Sequence, residues 1–164
     1  MATSENKVHI TWYDNRDGNL EIYYKRSTDK GVTWGTDIRL TNNSAVSEWP
    51  ALSVFGPLIY IVWYDNRDGN YELYFKRSTD EGATWSADFR LTISFGDSFN
   101  PTIFAIDQNV HISWYDNRDG NYEIYHKRST DGGISWTPDS RLTNSPATSW
   151  DPAVSVSGST VHII

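Results

Sequence analysis

The 164-residue sequence contains no cysteine. Disulfides, zinc–thiolate sites and thiol catalysis are therefore excluded. It also lacks any apolar run near the ~20 residues that a membrane span requires. The first seven residues do not form the apolar segment of a signal peptide. We expect a soluble chain, and these absences do not assign its compartment.

Basic residues are scarce relative to acidic ones. There are 14 Lys and Arg against 21 Asp and Glu, so the formal net charge is −7. Nucleic acids and anionic membrane surfaces are bound by clustered Lys and Arg, so we expect neither as a partner. Aromatic residues, in contrast, make up 15% of the chain. These large side chains provide enough apolar surface for a packed interior.

The sequence repeats itself without a gap. Trp12, Trp63 and Trp114 each begin the string Trp-Tyr-Asp-Asn-Arg-Asp-Gly-Asn, at a constant spacing of 51 residues. The predicted organisation is an N-terminal extension (1–7), three copies (8–58, 59–109 and 110–160) and the start of a fourth (161–164). A period this long suits the blades of a β-propeller and is too long for most solenoid repeats.

Each copy predicts four β-strands, labelled A to D from the ring axis outward. No copy has a sustained 3.6-residue apolar period, and turn residues recur about every ten positions. The predicted strands are A (50–55, 101–106, 152–156), B (8–13, 59–64, 110–115), C (20–27, 71–78, 122–129) and D (33–41, 84–92, 135–143). The predicted fold class is therefore all-β, a propeller of four-stranded antiparallel blades with three blade equivalents per chain.

The turn between strands C and D carries a recurring motif. Ser27-Thr28-Asp29-Lys30-Gly31-Val32-Thr33-Trp34 has the Asp-box pattern Ser-x-Asp-x-Gly-x-Thr-Trp. The pattern returns at 78–85 and, with Ser in place of Thr, at 129–136. Ser and Asp side chains can bond the amides of such a turn, Gly accepts its left-handed position, and Trp covers it.

These motifs make the chain similar to the sialidase-like, BNR-repeat β-propellers. The resemblance implies that the Asp box is a structural device on the face opposite the active site, and it favours secretion. The residues of this structural set are Ser27, Asp29, Gly31, Trp34, Ser78, Asp80, Gly82, Trp85, Ser129, Asp131, Gly133 and Trp136.

Three blades cannot close a ring, because a propeller needs at least about four. By these predictions the first blade lacks its own strand A, while a spare A strand lies at 151–156. Natural proteins avoid such unpaired edges. The simplest solution is a homodimer with a six-bladed ring, in which each C-terminal A strand completes the partner's first blade. Residues 161–164, which duplicate 8–11, would then fray or displace them; alternatively, the chain is a piece of a longer one.

The B–C and D–A loops are expected on one face. The identical B–C loops (14–19, 65–70, 116–121) either bind a polar ligand or weak Ca²⁺, or form solvated hairpins whose arginines pair with neighbouring Asp. We favour the hairpins. The D–A aromatic residues either stack on a glycan or cap the blade packing, and we favour capping. Glu48 and Asp151 are the only non-repeated acids there. The possible ligand face comprises Arg16, Arg67, Arg118, Trp49, Phe99 and Trp150.

The family resemblance implies what a sialidase would need: a Tyr–Glu pair, an Asp acid and three arginines, each on a different blade. Here the candidates occur in triplicate, as Tyr13, Tyr64 and Tyr115 or Glu21, Glu72 and Glu123, and the Arg-Ile-Pro motif is absent. We assign no catalytic residue, no cofactor and no metal, since Tyr60 replaces the histidine shared by His9, His111 and His162. The predicted function is a non-catalytic structural or binding scaffold. A carbohydrate-binding face is the alternative, and a sialidase-like glycosidase ranks last.

Overall fold

The computed structural model describes all 164 residues and consists of strands, turns and loops without a helix. Three four-stranded antiparallel sheets follow one another, and a two-stranded hairpin comes last. The sheets are β1 (Ala2–Ser4), β2 (Lys7–Asp14), β3 (Glu21–Ser27) and β4 (Ile38–Arg39); β5 (Ser47–Phe55), β6 (Leu58–Asp65), β7 (Glu72–Ser78) and β8 (Phe89–Arg90); and β9 (Ser98–Ile106), β10 (Asn109–Asp116), β11 (Glu123–Ser129) and β12 (Ser140–Arg141). The hairpin is β13 (Val154–Ser157) and β14 (Thr160–Ile163). The predicted all-β blade architecture is confirmed.

The sheets are stacked as blades whose first strands face one another. Strand β5 packs against both β1 and β9, and β9 packs against β13. The core lies between sheets: one cluster joins the first and second blades, and a larger one joins the second and third. Residues 59 to 63 of β6 are at most 1% exposed, as expected for a strand covered on both faces. No helix exists that could cross a lipid bilayer.

The first blade has its own innermost strand, so the prediction that it lacks strand A is wrong. Ala2–Ser4 pairs antiparallel with β2, with Ala2 opposite His9. This strand falls within the predicted extension and has three residues, whereas β5 and β9 have nine. At the other end β13 pairs with β14 of the same chain, so residues 161 to 163 are in a strand.

The D strands are shorter than predicted, with two residues each. The Asp box takes up the start of the predicted segment, because the Thr33 amide bonds Asp29 at 2.8 Å. At the other end the Thr41 hydroxyl accepts the Ile22 amide at 2.8 Å in place of a backbone carbonyl. The backbone ladder therefore stops, although side chains still hold the segment to strand C.

Candidate ligand-binding face

The Asp boxes and the B–C and D–A loops lie at opposite ends of the blades. In the first box Ser27 Oγ donates to Asp29 Oδ1 at 2.7 Å and accepts the Gly31 amide at 2.8 Å. Asp29 also accepts the amide and hydroxyl of Thr33. These bonds, those from Thr33 above all, lower the pKa of Asp29 to about 2. The same contacts recur in the second and third boxes.

The tryptophans of the second and third Asp boxes pack on the preceding blade. The ring of Trp85 meets Tyr24 edge-on with centroids 5.0 Å apart, and Trp136 meets Phe75 in the same way at 5.1 Å. Trp34 has no blade before it in this chain and is 39% exposed. The Asp-box tryptophan is therefore a blade-to-blade contact as well as part of the turn.

The B–C loop arginines are clamps within each blade. Arg67 bonds Asp65 through its amide, Nε and Nη2, and its Nη1 donates to Asp88 at 2.8 Å. Its guanidinium also covers the ring of Tyr74 at 4.3 Å. Burial alone would raise the pKa of Asp65, but the bonds from Arg67 and Ser47 hold it below its usual value.

The other two arginines repeat this pairing. Arg16 bonds Asp14 and Asp37, and Arg118 bonds Asp116 and Asp139. The exposed fraction of the side chain is 44% for Arg16 and 19% for Arg118. The favoured hairpin interpretation, in which arginines pair with neighbouring Asp, is thus what the structure shows. Little guanidinium surface is left for a ligand except at Arg16.

The glutamates that recur in every copy also have a structural role. Glu21, Glu72 and Glu123 are 0% exposed and pair with Arg39, Arg90 and Arg141 at 2.8 to 3.1 Å. Their carboxylates also anchor the D–A loops, since each accepts a backbone amide from that loop. An ion-paired carboxylate without solvent access is well suited to fix a loop and poorly placed to meet a substrate.

Two neighbouring positions at the end of the D–A connection, called the first and second D–A positions, give this face its shape; in the second and third blades they lie at the start of β5 and β9. The first holds Glu48, Phe99 and Trp150, and the second holds Trp49, Asn100 and Asp151. Every second-position residue has a left-handed backbone, with φ between 45° and 53°. The pairing with strand B is interrupted there, between Glu48 and Ala51 in the second blade. Asn100 Nδ2 donates to Asp151 Oδ1 at 2.8 Å, so second-position residues of successive blades meet.

The first-position aromatic residues lie between neighbouring blades. Phe99 contacts Tyr64 and Tyr71 on one side and Tyr115 and Tyr122 on the other, with ring centroids 5.0 to 6.3 Å apart. Trp150 continues this arc of rings from Tyr115 and Tyr122.

The exposure of these aromatic residues differs. Phe99 is half-buried and caps the packing between blades, whereas Trp49 is 51% and Trp150 57% exposed. Trp49 rests on Tyr13 with centroids 5.9 Å apart. The favoured capping role thus fits Phe99, whereas Trp49 and Trp150 present much of their surface to solvent.

Two exposed apolar residues were not anticipated from the sequence. Ile93 and Phe95, in the second D–A loop, are 79% and 108% exposed. The equivalent residues in the first copy are Asn42 and Ser44, so the apolar character belongs to one blade only. This departure from the repeat is the sequence signal that would have identified them.

Three blades of four antiparallel strands, each with an Asp-box turn, define part of a sialidase-like β-propeller. The family described as BNR repeat-like domain matches residues 6–158, and the chain belongs to this family. None of the curated protein sequences matches the chain.

Solved structures share the fold at low sequence identity. The Trypanosoma rangeli sialidase in complex with 2,3-difluorosialic acid matches with a TM-score of 0.69 and 14% identity, over 99% of this chain and 32% of the sialidase. The α-L-arabinofuranosidase of Fusarium graminearum in complex with arabinobiose matches with a TM-score of 0.68 and 16% identity, over 96% of this chain and 52% of that enzyme. The chain therefore spans about a third of one structure and half of the other, and the likeness concerns the fold alone.

Proposed function

We propose that the chain is a non-catalytic scaffold and that two copies assemble into a six-bladed ring. The observation that carries the proposal is a set of blade-to-blade contacts made twice within the chain. Arg77 Nη1 donates to the Gly132 carbonyl of the next blade at 2.6 Å, and Lys76 Nζ reaches back to the Leu40 carbonyl at 2.6 Å. Arg26 and Lys127 make the equivalent bonds at the other junctions.

The two ends of the chain carry the complementary halves of this junction. In the third blade His126 occupies the position of Tyr24 and Phe75, and the Arg128 side chain makes no hydrogen bond or ion pair. In the first blade Trp34 is 39% exposed and Val32 80%. If the third blade of one copy meets the first blade of the other, Trp34 packs on His126 and Arg128 reaches the Asp-box turn. A two-fold axis forms this contact twice and closes the ring.

Closing the ring also requires that one of the two terminal strand segments is displaced. With a period of 51, residues 154–164 are the equivalents of residues 1–11 after three repeats. Both segments cannot occupy one position in a closed ring. We propose that β13 replaces the three-residue β1 of the partner and that β14 is displaced, which is a strand exchange.

The test is the molecular mass in solution by sedimentation equilibrium. We expect twice the 18.8 kDa of one chain, and a shift toward the single chain for Trp34→Ala combined with Arg128→Ala. Phe95→Ser, which introduces the residue of the first copy, is the matched surface control and should leave the mass unchanged. A wild-type chain that stays folded and monomeric at high concentration contradicts the ring.

A second candidate function, carbohydrate binding by the same module, is favoured by the half-exposed rings of Trp49 and Trp150. Aromatic ring faces provide apolar platforms on which sugar rings stack. Trp49→Ala and Trp150→Ala remove these ring faces and should abolish binding on a glycan array. Retained glycan binding in both variants refutes this use of the face. Turnover of a fluorogenic sialoside would instead support the last-ranked glycosidase.

A further inference from the structure

Glu48 is the one acidic residue at the first D–A position, where the other copies have Phe99 and Trp150. At the second blade junction four tyrosines surround Phe99. Glu48 takes the corresponding place at the first junction, where it lies opposite Tyr64 in the strand pair. A carboxylate thus stands where the fold elsewhere places an aromatic ring.

This carboxylate has no partner within the chain. Glu48 makes neither a side-chain hydrogen bond nor an ion pair, and burial raises its pKa. Tyr64 faces Glu48 across the strand pair, and the ring of Tyr71 meets Tyr64 edge-on with centroids 5.4 Å apart. Arg16, in the B–C loop of the first blade, is paired with Asp14 and Asp37. A half-buried charge without a partner is costly, and a cationic ligand would offset that cost.

Aromatic surface is exposed directly beside this carboxylate. Trp49 follows Glu48 in the chain, and its left-handed backbone leaves the indole 51% exposed. The indole lies at 32° to the ring of Tyr13, with centroids 5.9 Å apart, and Tyr13 is itself 37% exposed. The faces of Trp and Tyr rings attract cations, most strongly where water is excluded.

We propose that Tyr13, Glu48, Trp49, Tyr64 and Tyr71 form a binding site for a quaternary or alkylated ammonium group. One carboxylate among rings suits an organic cation, whereas Ca²⁺ takes six to eight oxygen ligands. The net charge of −7 also favours the approach of cations over anions. This acidic aromatic site occurs once in the chain, because the other two junctions hold Phe99 and Trp150 in place of Glu48.

The first test compares choline with its neutral isostere, in which a carbon atom replaces the quaternary nitrogen. The two molecules have the same shape, so a difference in calorimetric affinity reports the charge. We expect saturable choline binding and an affinity for the isostere that is lower by about tenfold, the ratio that a desolvated cation–π contact supports. Equal affinity for the two molecules overturns the proposal.

A variant that removes only the charge, and two that introduce residues of the other copies, locate the site without altering the blade pattern. Glu48→Gln, Glu48→Phe and Trp49→Asn should each weaken choline binding by about tenfold or more. Ile93→Asn introduces the residue of the other two copies at an exposed position of the second D–A loop and is the matched control that should bind as the wild type does. Unchanged affinity in Glu48→Gln places any binding elsewhere and refutes the site, whatever the oligomeric state.

A third measurement distinguishes the source of the ammonium group. A peptide with trimethyllysine is titrated beside free choline, with the unmethylated peptide as its control. Similar affinities for both trimethylated ligands mean that the headgroup alone is recognised, and tighter peptide binding identifies a protein partner. The absence of binding to either trimethylated ligand overturns the proposal.

Discussion

Replacing the Asp-box glycines one at a time separates the strain of the turn from the packing between blades. Gly31 and Gly82 occupy equivalent turns with φ of 89° and 85°. A Cβ on Gly82 would lie 2.6 Å from the Tyr24 hydroxyl of the preceding blade, whereas a Cβ on Gly31 meets nothing closer than 3.8 Å. Gly82→Ala therefore adds a blade-to-blade clash to a cost that both variants share.

The expected loss of unfolding free energy is the sum of these two contributions. An alanine at positive φ costs about 1 to 2 kcal/mol, and this applies to both turns. Tyr24 is 1% exposed and its hydroxyl is bonded to His9 at 2.6 Å, so its ring has little room to move. Overpacking of a filled core costs about 1 to 3 kcal/mol more. We expect Gly82→Ala to lose that amount of unfolding free energy beyond the loss in Gly31→Ala.

Urea unfolding followed by tryptophan fluorescence measures this difference, at protein concentrations where single chains predominate. Gly133→Ala, whose Cβ would lie 2.6 Å from the ring of Phe75, should behave like Gly82→Ala. If Gly31→Ala and Gly82→Ala lose the same stability, the blades do not pack through these turns and the argument fails. At concentrations where the proposed ring forms, Gly31→Ala should also weaken association.

Three further predictions concern single side chains. Burial lowers the pKa of His9 from 6.5 to about 4, so the unfolded chain binds the extra proton between these values. The contribution of His9 to the unfolding free energy should therefore be constant above pH 6.5 and decrease as the pH falls toward 4. Urea unfolding at several pH values should show a weaker dependence of stability on pH in His9→Tyr. Asp80→Ala should lower the urea midpoint, and Asp80→Asn less, because asparagine retains one acceptor oxygen. Lys76→Met should cost about 1 to 3 kcal/mol in the same assay, because the Leu40 carbonyl then loses its buried donor.

The fold could be predicted because the same sequence motif occurs three times. A gapless period of 51 residues with the Asp-box turn is enough to identify blades and their strand order. The strand at Ala2–Ser4 escaped prediction because three small residues show no apolar alternation and lie outside the copies. The D strands were overestimated because the threonine hydroxyl that ends each ladder, as at Thr41, cannot be told from an ordinary strand residue.

The candidate face was only partly predictable. The sequence named Trp49 and Trp150 as possible ligand residues but favoured a packing role for them, and only the structure shows their exposure. Nor could the sequence show how far the arginines are engaged by aspartates distant in sequence, as Arg67 is by Asp88. Trp49 was grouped with Phe99 because both residues are aromatic. They lie 50 positions apart, however, whereas the repeat is 51 residues long. The residue equivalent to Phe99 is Glu48, so the strict period points to the acidic substitution.

Comparison of the three copies distinguishes residues that stabilise the fold from residues that are available to bind a ligand. Charged groups that recur in all copies, such as the Arg67–Asp65 and Arg90–Glu72 pairs, form ion pairs within their own blade. A ligand site that occurs only once among near-identical blades needs positions where one blade differs from the next. Glu48 and Phe95 are such positions, and both lie in D–A loops on one face. Binding activity should therefore respond to changes at these positions, whereas changes at the recurring charges should first reduce stability.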